Sequence, residues 1–308
     1  MSLTRFPHGI SSFGVPVLGA GPIVTTGNVF FVDDSGSNDN DGLSPEHPFS
    51  TLTYGISRCT ASHGDVVIMM PGHAETTSAI ALSLAGVRIV GLGIGADRPT
   101  ITASTDASDL INVTAANCTL ENFNLVGAAS GVTALLDIAA NDCTCINMKF
   151  SHGAAPVNAI TVASGLRARF LGCTWYGTAN GPAYGILFES ATEQASKDFE
   201  VRDCVFNYGV YGLDSAAISN ASNGTEEGGI IANCVFSGMD ATAIDFNSSS
   251  SASVRGLVAN CVATGSGALT IANIYDLSSY GALHCDATDD PAKGTGSPYG
   301  MIPGATAA

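Results

Sequence analysis

The stretch CTLENFNL (118–125) carries the pattern that decides the fold of this chain, and six other stretches repeat it. With Asn122 as position zero, apolar side chains stand two residues before it, one residue after it and three residues after it. Alternation on both sides of a one-residue shift in phase is typical of two strands joined by a tight bend. The bend falls on Asn, Asp or Gly, which tolerate left-handed backbone. The stretches are VRIVGLGI (87–94), CTLENFNL (118–125), CTCINMKF (143–150), ARFLGCTW (168–175), FEVRDCVF (199–206), GIIANCVF (229–236) and GLVANCVA (256–263), with Gly91, Asn122, Asn147, Gly172, Asp203, Asn233 and Asn260 at position zero.

Apolar residues at the three aligned positions predict which side chains point into the core, because inward positions of a half-buried strand are the apolar ones. These residues are Ile89, Leu120, Cys145, Phe170, Val201, Ile231 and Val258 before the bend, Leu92, Phe123, Met148, Cys173, Cys204, Cys234 and Cys261 directly after it, and Ile94, Leu125, Phe150, Trp175, Phe206, Phe236 and Ala263 three residues after it.

The spacing of the stretches predicts a repeat fold. Position zero recurs every 25 to 31 residues, and a period of this size is typical of solenoids. A unit of short strands cannot bury its own apolar side, so stacking of the units supplies the core. The sequence therefore predicts an all-β fold, a single-stranded right-handed parallel β-helix over residues 29–285. A third strand of each turn is expected at 110–113, 135–138, 159–162, 185–188, 216–219, 243–246 and 268–271.

Composition restricts the possible partners of the chain. Charged residues make up only 12% of the 308 residues, and 27 acidic against 11 basic residues give a formal net charge of -16. This balance argues against nucleic acid as a partner. The chain has no apolar run long enough to span a membrane and no apolar secretory start, so we expect neither a membrane partner nor secretion.

The nine cysteines of the chain are expected to be free thiols rather than a disulfide framework. Their number is odd, and four of them fall on the inward position directly after the bend, where stacked turns would align them as small buried residues. Zinc is an alternative for Cys143 and Cys145, but a C-x-C pair without a second pair is weak evidence. The aligned cysteines are Cys173, Cys204, Cys234 and Cys261.

The segments that flank the repeats are expected to be extended. Residues 1–28 form an N-terminal arm that is too rich in Gly and Pro for a helix and too apolar for a free linker. The arm either lies along its own β-helix or docks on a neighbouring subunit, and the second arrangement is the preferred prediction. Residues 286–308 form an extended C-terminal tail. The apolar residues of the docking arm are Phe6, Phe13, Val15, Val17, Leu18 and Ile23.

The region between the arm and the first repeat has two features. Asp39 and Asp41 resemble part of a calcium loop that lacks its closing glutamate, so a rigid polar turn is the preferred interpretation.

Residues 50–59 predict a short N-terminal capping helix with Ser50 as N-cap and one apolar face. Such a helix would close the open end of the first turn.

The same region carries a family resemblance. VFFVDDSGSNDNDGLSPEHPFSTLTYGISRC (29–59), followed by GDVVIMMPGHAET (64–76), resembles the opening of proteins of the pectate-lyase-like, right-handed parallel β-helix superfamily. With the repeats, the resemblance covers residues 29–285. It implies the fold, whereas the function stays open because this fold hosts lyases, hydrolases, tailspikes and structural parts.

A second resemblance concerns the N-terminus. MSLTRFPHGISSFGVPVLGAGP (1–22) resembles the start of uncharacterised structural proteins of tailed bacteriophages. The resemblance implies a virion component that is assembled in the host cytoplasm, a compartment in which free cysteines persist.

Outward positions show few groups that could carry out catalysis. The residues two after position zero include no acid, and Asp137 and Asp245 are expected to lie four turns apart. Asp214 and Asp240 occupy the same turn of adjacent repeats, so stacking would raise the pKa of one of them. The shared geometry of a repeated turn is the preferred explanation of this pair over a catalytic or cation-binding role. We therefore expect no catalytic residue, metal or cofactor, and thus a protein that is not an enzyme.

An apolar outward row points to assembly instead. Val205, Val235 and Val262 would form a stripe that a soluble protein usually covers. The expected function is a non-enzymatic virion structural protein, such as a head decoration or another capsid or tail component. It would be a homotrimer joined through this stripe and anchored by its arm to another virion protein such as the major capsid protein. The alternatives are a tailspike-type receptor-binding polysaccharide depolymerase and a carbohydrate-binding β-helix without catalysis. Clustered carboxylates with a nearby Arg or Lys in a groove would favour the first alternative, and exposed aromatic platforms would favour the second.

Overall fold

The structure is a computed structural model, and it describes residues 10–12, 15–17, 25–104, 109–128, 131–152, 157–177, 182–189, 197–208, 216–220, 227–239, 242–245, 255–265, 275–276, 281–283 and 286–288. Within these ranges, no helix is long and apolar enough to cross a membrane.

The described chain forms a right-handed parallel β-solenoid with almost no helix, as the repeats predict. Each turn passes through three sheets in the same order, so every third strand pairs in parallel with its equivalent on the next turn. The sheets have 10, 9 and 8 strands and are called sheet 1, sheet 2 and sheet 3. The apolar core fills the space that the three sheets enclose.

The strands are numbered in chain order. Sheet 1 contains β3 (Val29–Val32), β4 (Val66–Met69), β7 (Arg88–Gly91), β10 (Thr119–Glu121), β13 (Thr144–Ile146), β16 (Arg169–Leu171), β19 (Glu200–Arg202), β22 (Glu227–Ala232), β25 (Arg255–Ala259) and β28 (Gly281–Leu283). Sheet 2 contains β5 (Ala74–Thr77), β8 (Thr100–Ala103), β11 (Asn124–Gly127), β14 (Lys149–His152), β17 (Thr174–Gly177), β20 (Val205–Asn207), β23 (Val235–Met239), β26 (Val262–Gly265) and β29 (Asp286–Thr288). Sheet 3 contains β6 (Ile80–Leu82), β9 (Ile111–Val113), β12 (Ala134–Ile138), β15 (Asn158–Val162), β18 (Tyr184–Phe188), β21 (Ala216–Asn220), β24 (Thr242–Asp245) and β27 (Tyr275–Asp276).

The bends between sheets 1 and 2 are left-handed at the predicted positions, with one exception. Asn122 has φ 60° and Asn233 has φ 57°, whereas Gly91 is the last residue of β7 and does not have a positive φ. The bend side chains bond to one another from turn to turn, since Asn147 donates to Asn122 Oδ1 at 2.9 Å and Asn260 donates to Asn233 Oδ1 at 3.3 Å. The other left-handed bend residues are Asn147, Gly172, Asp203 and Asn260.

A second set of left-handed residues lies five positions before the first, between sheets 3 and 1, and the sequence analysis missed it. Arginine is an unusual residue there, because left-handed backbone is costly for residues other than Gly, Asn and Asp. Arg167, with φ 58°, is held by two hydrogen bonds to the Asp142 carboxylate, at 2.6 and 2.7 Å. The set comprises Gly86, Asn117, Asp142, Arg167, Asp198 and Gly228.

The core consists of stacked rows of like side chains, as the aligned positions predict. The four aligned cysteines are fully buried. An aromatic row runs along sheet 2, in which Phe150, Trp175, Phe206 and Phe236 stack with ring centroids 5.0, 4.2 and 4.9 Å apart. The in-register parallel pairing places equivalent side chains directly above one another and so produces these rows.

The cysteine row leads to the expectation that native protein reacts slowly with thiol reagents. Burial raises the pKa of the Cys145 and Cys204 thiols, which disfavours the thiolate that reacts. Mass spectrometry after labelling with and without urea should show modification of Cys173, Cys204, Cys234 and Cys261 only in the unfolded chain. Rapid labelling of these cysteines in the folded protein would contradict their inward placement.

The first repeat departs from the predicted alignment. Ile94 was expected to point inward, but 82% of its surface is exposed, and Ile101 takes the inward place opposite Leu125 instead. The reason is a longer turn in this repeat, which contains a 3-10 helix at Gly95–Asp97. Leu92 was also expected to point inward, and it packs on the outside of sheet 1 against the second apolar cluster, which comprises Val66, Ile68 and Val90.

A six-residue helix α1 (Leu52–Ser57) lies in the predicted region, but its N-cap is Thr51 and not Ser50. The Tyr54 N–H donates to Thr51 Oγ1 at 3.3 Å, and the Leu52 N–H donates to the Glu75 carboxylate at 2.8 Å. Leu52 and Ile56 are buried in the core. That this helix acts as a cap for the open end stays a prediction.

The loop that resembles a calcium site bonds to its own backbone. The Leu43 N–H donates to Asp41 Oδ1 at 3.0 Å, and the Asp39 N–H donates to Ser37 Oγ at 3.2 Å. These are local turn hydrogen bonds, which favour the rigid-turn interpretation.

The flanking segments are described only in part. In the arm, β1 (Ile10–Ser12) and β2 (Val15–Val17) pair as an antiparallel hairpin. Phe6, Phe13, Leu18 and Ile23 lie outside the described residues, as does the third strand predicted at 268–271. Sheet 3 continues from β24 to β27.

Candidate functional site

The outer face of sheet 3 carries a row of mostly polar side chains. In β12, Leu135 and Leu136 both belong to the core, so the residues on either side of them, Ala134 and Asp137, lie on the outer face. The parallel register repeats this arrangement on each turn. The row in register with Asp137 is Asn112, Asp137, Thr161, Leu187, Ser219 and Asp245.

This face is sheltered, although its side chains point outward. Thr161, Leu187 and Ser219 are exposed by only 6%, 7% and 3%. On the outer face of sheet 2, by contrast, Val205 and Val235 are exposed by 37% and 40%. The molecule thus shelters polar groups on one face and exposes apolar groups on another, the reverse of the ordinary distribution. The polar row of sheet 3 is therefore covered by other atoms of the chain itself, whereas the valine row of sheet 2 is open.

A second row runs beside the first, three residues earlier on each strand. Asn158 pairs with Ala134 on one side and with Tyr184 on the other. On the preceding turn, the Leu110 N–H donates to the Ala134 carbonyl. The residue before Leu110, Asp109, therefore lies beside Ala134 and belongs to the same row. Asn158 is only 4% exposed, and its Nδ2 donates to Thr161 Oγ1 at 3.2 Å, so both side chains lie on the outer side. Ala134, which is fully buried, lies in this second row between Asp109 and Asn158.

Three oxygen atoms on this face have no hydrogen-bond partner within the described structure. They are Asn112 Oδ1, Asp137 Oδ1 and Asn158 Oδ1, each buried at the level of the atom. A buried acceptor without a donor costs roughly 1–3 kcal/mol, and such groups in a folded protein call for an explanation.

The electrostatics of this face centre on Asp137. Burial raises the pKa of the Asp137 carboxyl to about 6, and the nearby carboxylates of Asp109 and Glu189 raise it further in the same direction. Burial also raises the pKa of Asp109, against a hydrogen bond from the Ala134 backbone that lowers it. A carboxyl group that titrates near neutral pH can donate a proton as an acid or accept one as a base.

Several of these residues were missed by the sequence analysis. Asp137 and Asp245 were considered as a pair, but the carboxylates that influence Asp137 belong to Asp109 and Glu189. Tyr184 is a half-buried aromatic side chain on the outer face, and the sequence analysis did not identify it as an aromatic platform for a carbohydrate. The segments LLDI, AITV and GILF show how these outward positions could have been found. Two consecutive residues in each segment point inward, so the outward positions before and after them are three residues apart.

The two residues of the predicted acidic pair, Asp214 and Asp240, lie outside the described residues. Across the described ranges, no group of three or more His, Cys, Asp or Glu side chains is close enough to hold a metal ion. Cys143 and Cys145, the alternative zinc ligands, are both buried thiols.

The predicted valine row is present on the outer face of sheet 2. Val205, Val235 and Val262 are in register and are exposed by 37%, 40% and 39%. Ala232 and Ala259, which directly precede the bends that lead to Val235 and Val262, lie on sheet 1 and are buried. That the row is a subunit interface stays a prediction.

Comparison with known proteins identifies the fold. No family model and no curated protein matches this chain. A rhamnogalacturonan lyase matches with a TM-score of 0.60 at 16% identity, over 85% of this chain and 74% of its own. The pectate lyase Pel9A matches with a TM-score of 0.51 at 14% identity, over 85% of this chain and 78% of its own. ORF18 of Geobacillus virus E2 gives a TM-score of 0.38 at 11% identity, over 84% of this chain and 60% of its own. The first two matches show that the chain has the pectate-lyase-like parallel β-helix fold.

These matches correct the expectation that the chain is not an enzyme. Two solved structures with this fold are polysaccharide lyases by name, so the fold of this chain is one that enzymes use. The expectation considered Asp137 only together with Asp245 and left out Asp109 and Glu189. Identities of 16% and 14% show the fold alone, so the chemistry has to be argued from the residues of this chain.

Proposed function

We propose that this chain binds polysaccharide along the outer face of sheet 3 and cleaves it there, as a tailspike-type depolymerase of a virion surface. The observation that carries the proposal is Asp137, a sheltered carboxyl group whose pKa is raised to about 6 and whose Oδ1 has no partner. Its position in a row of mostly polar side chains that continues from turn to turn suits a chain-like substrate that runs across the strands.

The reaction that these residues support is acid-assisted hydrolysis of a glycosidic bond. This reaction needs one carboxylic acid that protonates the leaving oxygen and a second carboxylate that activates water or attacks the sugar. Asp137 suits the role of the acid, because its raised pKa keeps it partly protonated near neutral pH. Asp109 or Glu189 supplies the second carboxylate. In the described part of sheet 3, the outer face bears no Lys or Arg that could act as the base of an elimination.

The remaining groups suit the binding of sugars. Asn112 is partly exposed on this face, and its amide can donate a hydrogen bond to a sugar oxygen. Tyr184 offers a half-buried ring on the same face. A few placed polar groups with an aromatic surface are typical of small-molecule sites.

The virion location rests on the resemblance of residues 1–22 to structural proteins of tailed bacteriophages. In this proposal the arm attaches the protein to another virion protein such as the major capsid protein. The exposed valine row favours a structural role in addition, as a trimeric component of the head or tail surface. Helix α1 closes the end of the solenoid that lies next to the arm.

The trimer leads to a specific expectation for Val235→Lys. Placing an ammonium group in an apolar interface without a partner is costly, so the variant should sediment as a smaller species than the wild type. Sedimentation velocity at several protein concentrations measures the size of the species. Thr174→Lys is the matched control, because Thr174 occupies the same row one turn before Val205 and is not one of the three valines. Unchanged sedimentation and stability of Val235→Lys would show that the row is not an interface.

The experiment that tests the proposed function is direct. Purified protein is incubated with polysaccharides from bacterial surfaces, and the length of the polymers is followed by size-exclusion chromatography. The proposal expects at least one polymer to be shortened, with new reducing ends and without the unsaturated product that an elimination would leave. Binding without any shortening would reduce the proposal to a carbohydrate-binding β-helix.

A further inference from the structure

The second apolar cluster lies on the outside of the solenoid, at the end where the chain enters it. Alternate side chains of β4 belong to the main core, so Val66 and Ile68 point to the other side of sheet 1. Both are exposed by only 2%, and Val90 of β7 is exposed by 6%. The cluster therefore has the burial of a core, although it lies outside the three sheets. The partly buried residues that pack around it are Val29, Phe31 and Leu92.

This degree of burial is confined to one end of the outer face of sheet 1. Ile146 stands in the same row as Ile68 and Val90, three strands beyond Ile68, and it is only half-buried. The burial of Val66 and Ile68 is a property of the single chain, so another part of the same chain covers them. The valine row of sheet 2 has no such cover.

The chain enters the solenoid directly beside this cluster. Thr25 Oγ1 donates to the Gly64 carbonyl, and the Asn28 N–H donates to Asp65 Oδ1 at 2.6 Å. Gly27 stands where no side chain fits, because an added Cβ would lie 2.5 Å from the Gly64 carbonyl carbon. Gly64 and Asp65 immediately precede β4, so the arm starts from a fixed point at the edge of the cluster.

The arm contains an element that needs an apolar surface. Residues 10–17 include the hairpin of β1 and β2, carry no charge and contribute Ile10, Val15 and Val17. An isolated hairpin of two strands is marginally stable at best in water. Each of its strands has three residues and is about 10 Å long, and the cluster extends over β3, β4 and β7, which is also about 10 Å.

The link between the hairpin and the solenoid is short. Seven residues join Val17 to Thr25, and a linker of this length reaches at most roughly 28 Å. The cluster begins at the anchor of this linker, because Thr25 bonds to the residue two positions before Val66. The hairpin is therefore held close to the one outer apolar cluster that the described chain covers.

We propose that the hairpin β1–β2 packs on the second apolar cluster of its own chain. The cluster supplies the apolar surface that the hairpin lacks, and the hairpin supplies the cover that the burial of Val66 and Ile68 requires. This inference goes beyond the proposed function, since it concerns neither the sheet 3 face nor cleavage. In this arrangement the arm attaches to another virion protein through residues 1–9, which precede the hairpin.

Hydrogen–deuterium exchange of the full-length protein, followed by mass spectrometry, tests this packing. We expect the amides of residues 10–17 to exchange at least about 10-fold more slowly than those of an unstructured chain. Ile68→Asp places a carboxylate without a partner in the apolar contact, so it should remove this protection. Ile146→Asp is the matched control, because it changes the same row of sheet 1 outside the cluster and should leave the protection unchanged.

A second variant decides the question if Ile68→Asp does not fold. Val15→Asp combined with Val17→Asp leaves every residue of the core and the cluster in place. It should uncover the cluster and so raise the binding of an apolar fluorescent dye at least about 2-fold. Thr4→Asp, which adds a carboxylate to the arm before the hairpin, is its control and should bind the dye as the wild type does.

The exchange experiment is repeated over a dilution series. Protection that persists on dilution and disappears in Ile68→Asp supports the proposal. Protection that falls on dilution would place the hairpin on a neighbouring subunit and overturn the proposal. Absence of protection, protection that survives in Ile68→Asp, or unchanged dye binding of the double variant would also overturn it, because the hairpin would then not cover this cluster. All of these results leave the proposed cleavage of polysaccharide untouched.

Discussion

Replacement of Phe206 by alanine is expected to lower the free energy of unfolding by about 3–5 kcal/mol. The ring is fully buried in the aromatic row of sheet 2, 4.2 Å from Trp175 and 4.9 Å from Phe236 between ring centroids. Its removal leaves a cavity that the flanking rings cannot fill, because the backbone spacing of the turns holds them in place. Loss of the aromatic stacking adds to the loss of buried apolar surface.

The measurement is urea denaturation followed by circular dichroism and by the fluorescence of Trp175, which is the one tryptophan of the chain. Trp175 stacks directly on Phe206, so its fluorescence reports on the altered turn itself. Asn207→Ala is the matched control, since this side chain lies on the same strand, is exposed and should change stability by no more than about 0.5 kcal/mol. A loss below about 1 kcal/mol for Phe206→Ala would show that the ring is not part of the core.

Replacement of Asp137 by asparagine is expected to slow polysaccharide cleavage by about 100-fold or more. The amide keeps the shape of the side chain but cannot donate the proton that the leaving oxygen needs. In the wild type, cleavage should fall as the pH rises through about 6, because Asp137 then loses its proton. A variant that keeps full activity would show that Asp137 is not the acid.

The same substitution is expected to stabilise the protein above pH 6. The pKa of Asp137 is higher in the folded protein than its ordinary value of 3.8, so the folded state loses stability as the pH rises from about 4 to about 6. The asparagine side chain does not ionise, so the stability of the variant lacks this dependence on pH. The gain above pH 6 should be on the order of 1–2 kcal/mol, which allows for screening of a group that is only partly buried.

Thermal melts of wild type and variant at pH 4, 5, 6, 7 and 8 measure this difference. The rise in melting temperature of the variant over the wild type should be largest at pH 8 and should disappear towards pH 4. Asp97→Asn is the control, because its carboxylate is exposed and should give equal melting temperatures throughout. Destabilisation of Asp137→Asn at pH 8 would mean that the carboxylate has a favourable partner, and it would remove the physical basis of the proposed acid.

The sequence by itself determined the solenoid, the order of its sheets and most of its core. Apolar side chains alternate at fixed distances from an Asn, Asp or Gly, and such a local pattern specifies both the bend and the direction of each side chain. Parallel stacking then repeats the same side chain from turn to turn, so the Cys234 and Phe236 rows could be predicted without coordinates. The prediction was wrong at Ile94, where an inserted 3-10 helix lengthened a turn and shifted the register.

The tertiary structure alone decided which outer face is sheltered and which carboxylates meet there. Asp109 and Glu189 are 80 residues apart in the sequence. They influence Asp137 because the solenoid places Asp109 one turn before it and Glu189 two turns after it, beside the strands of one sheet. Burial of Thr161, Asn158 and Ser219 likewise depends on the three-dimensional surroundings, since the same residue types on an open face would be solvated. Local pattern determines the direction of a side chain, whereas its pKa and its unmet hydrogen bonds depend on atoms that are distant along the chain.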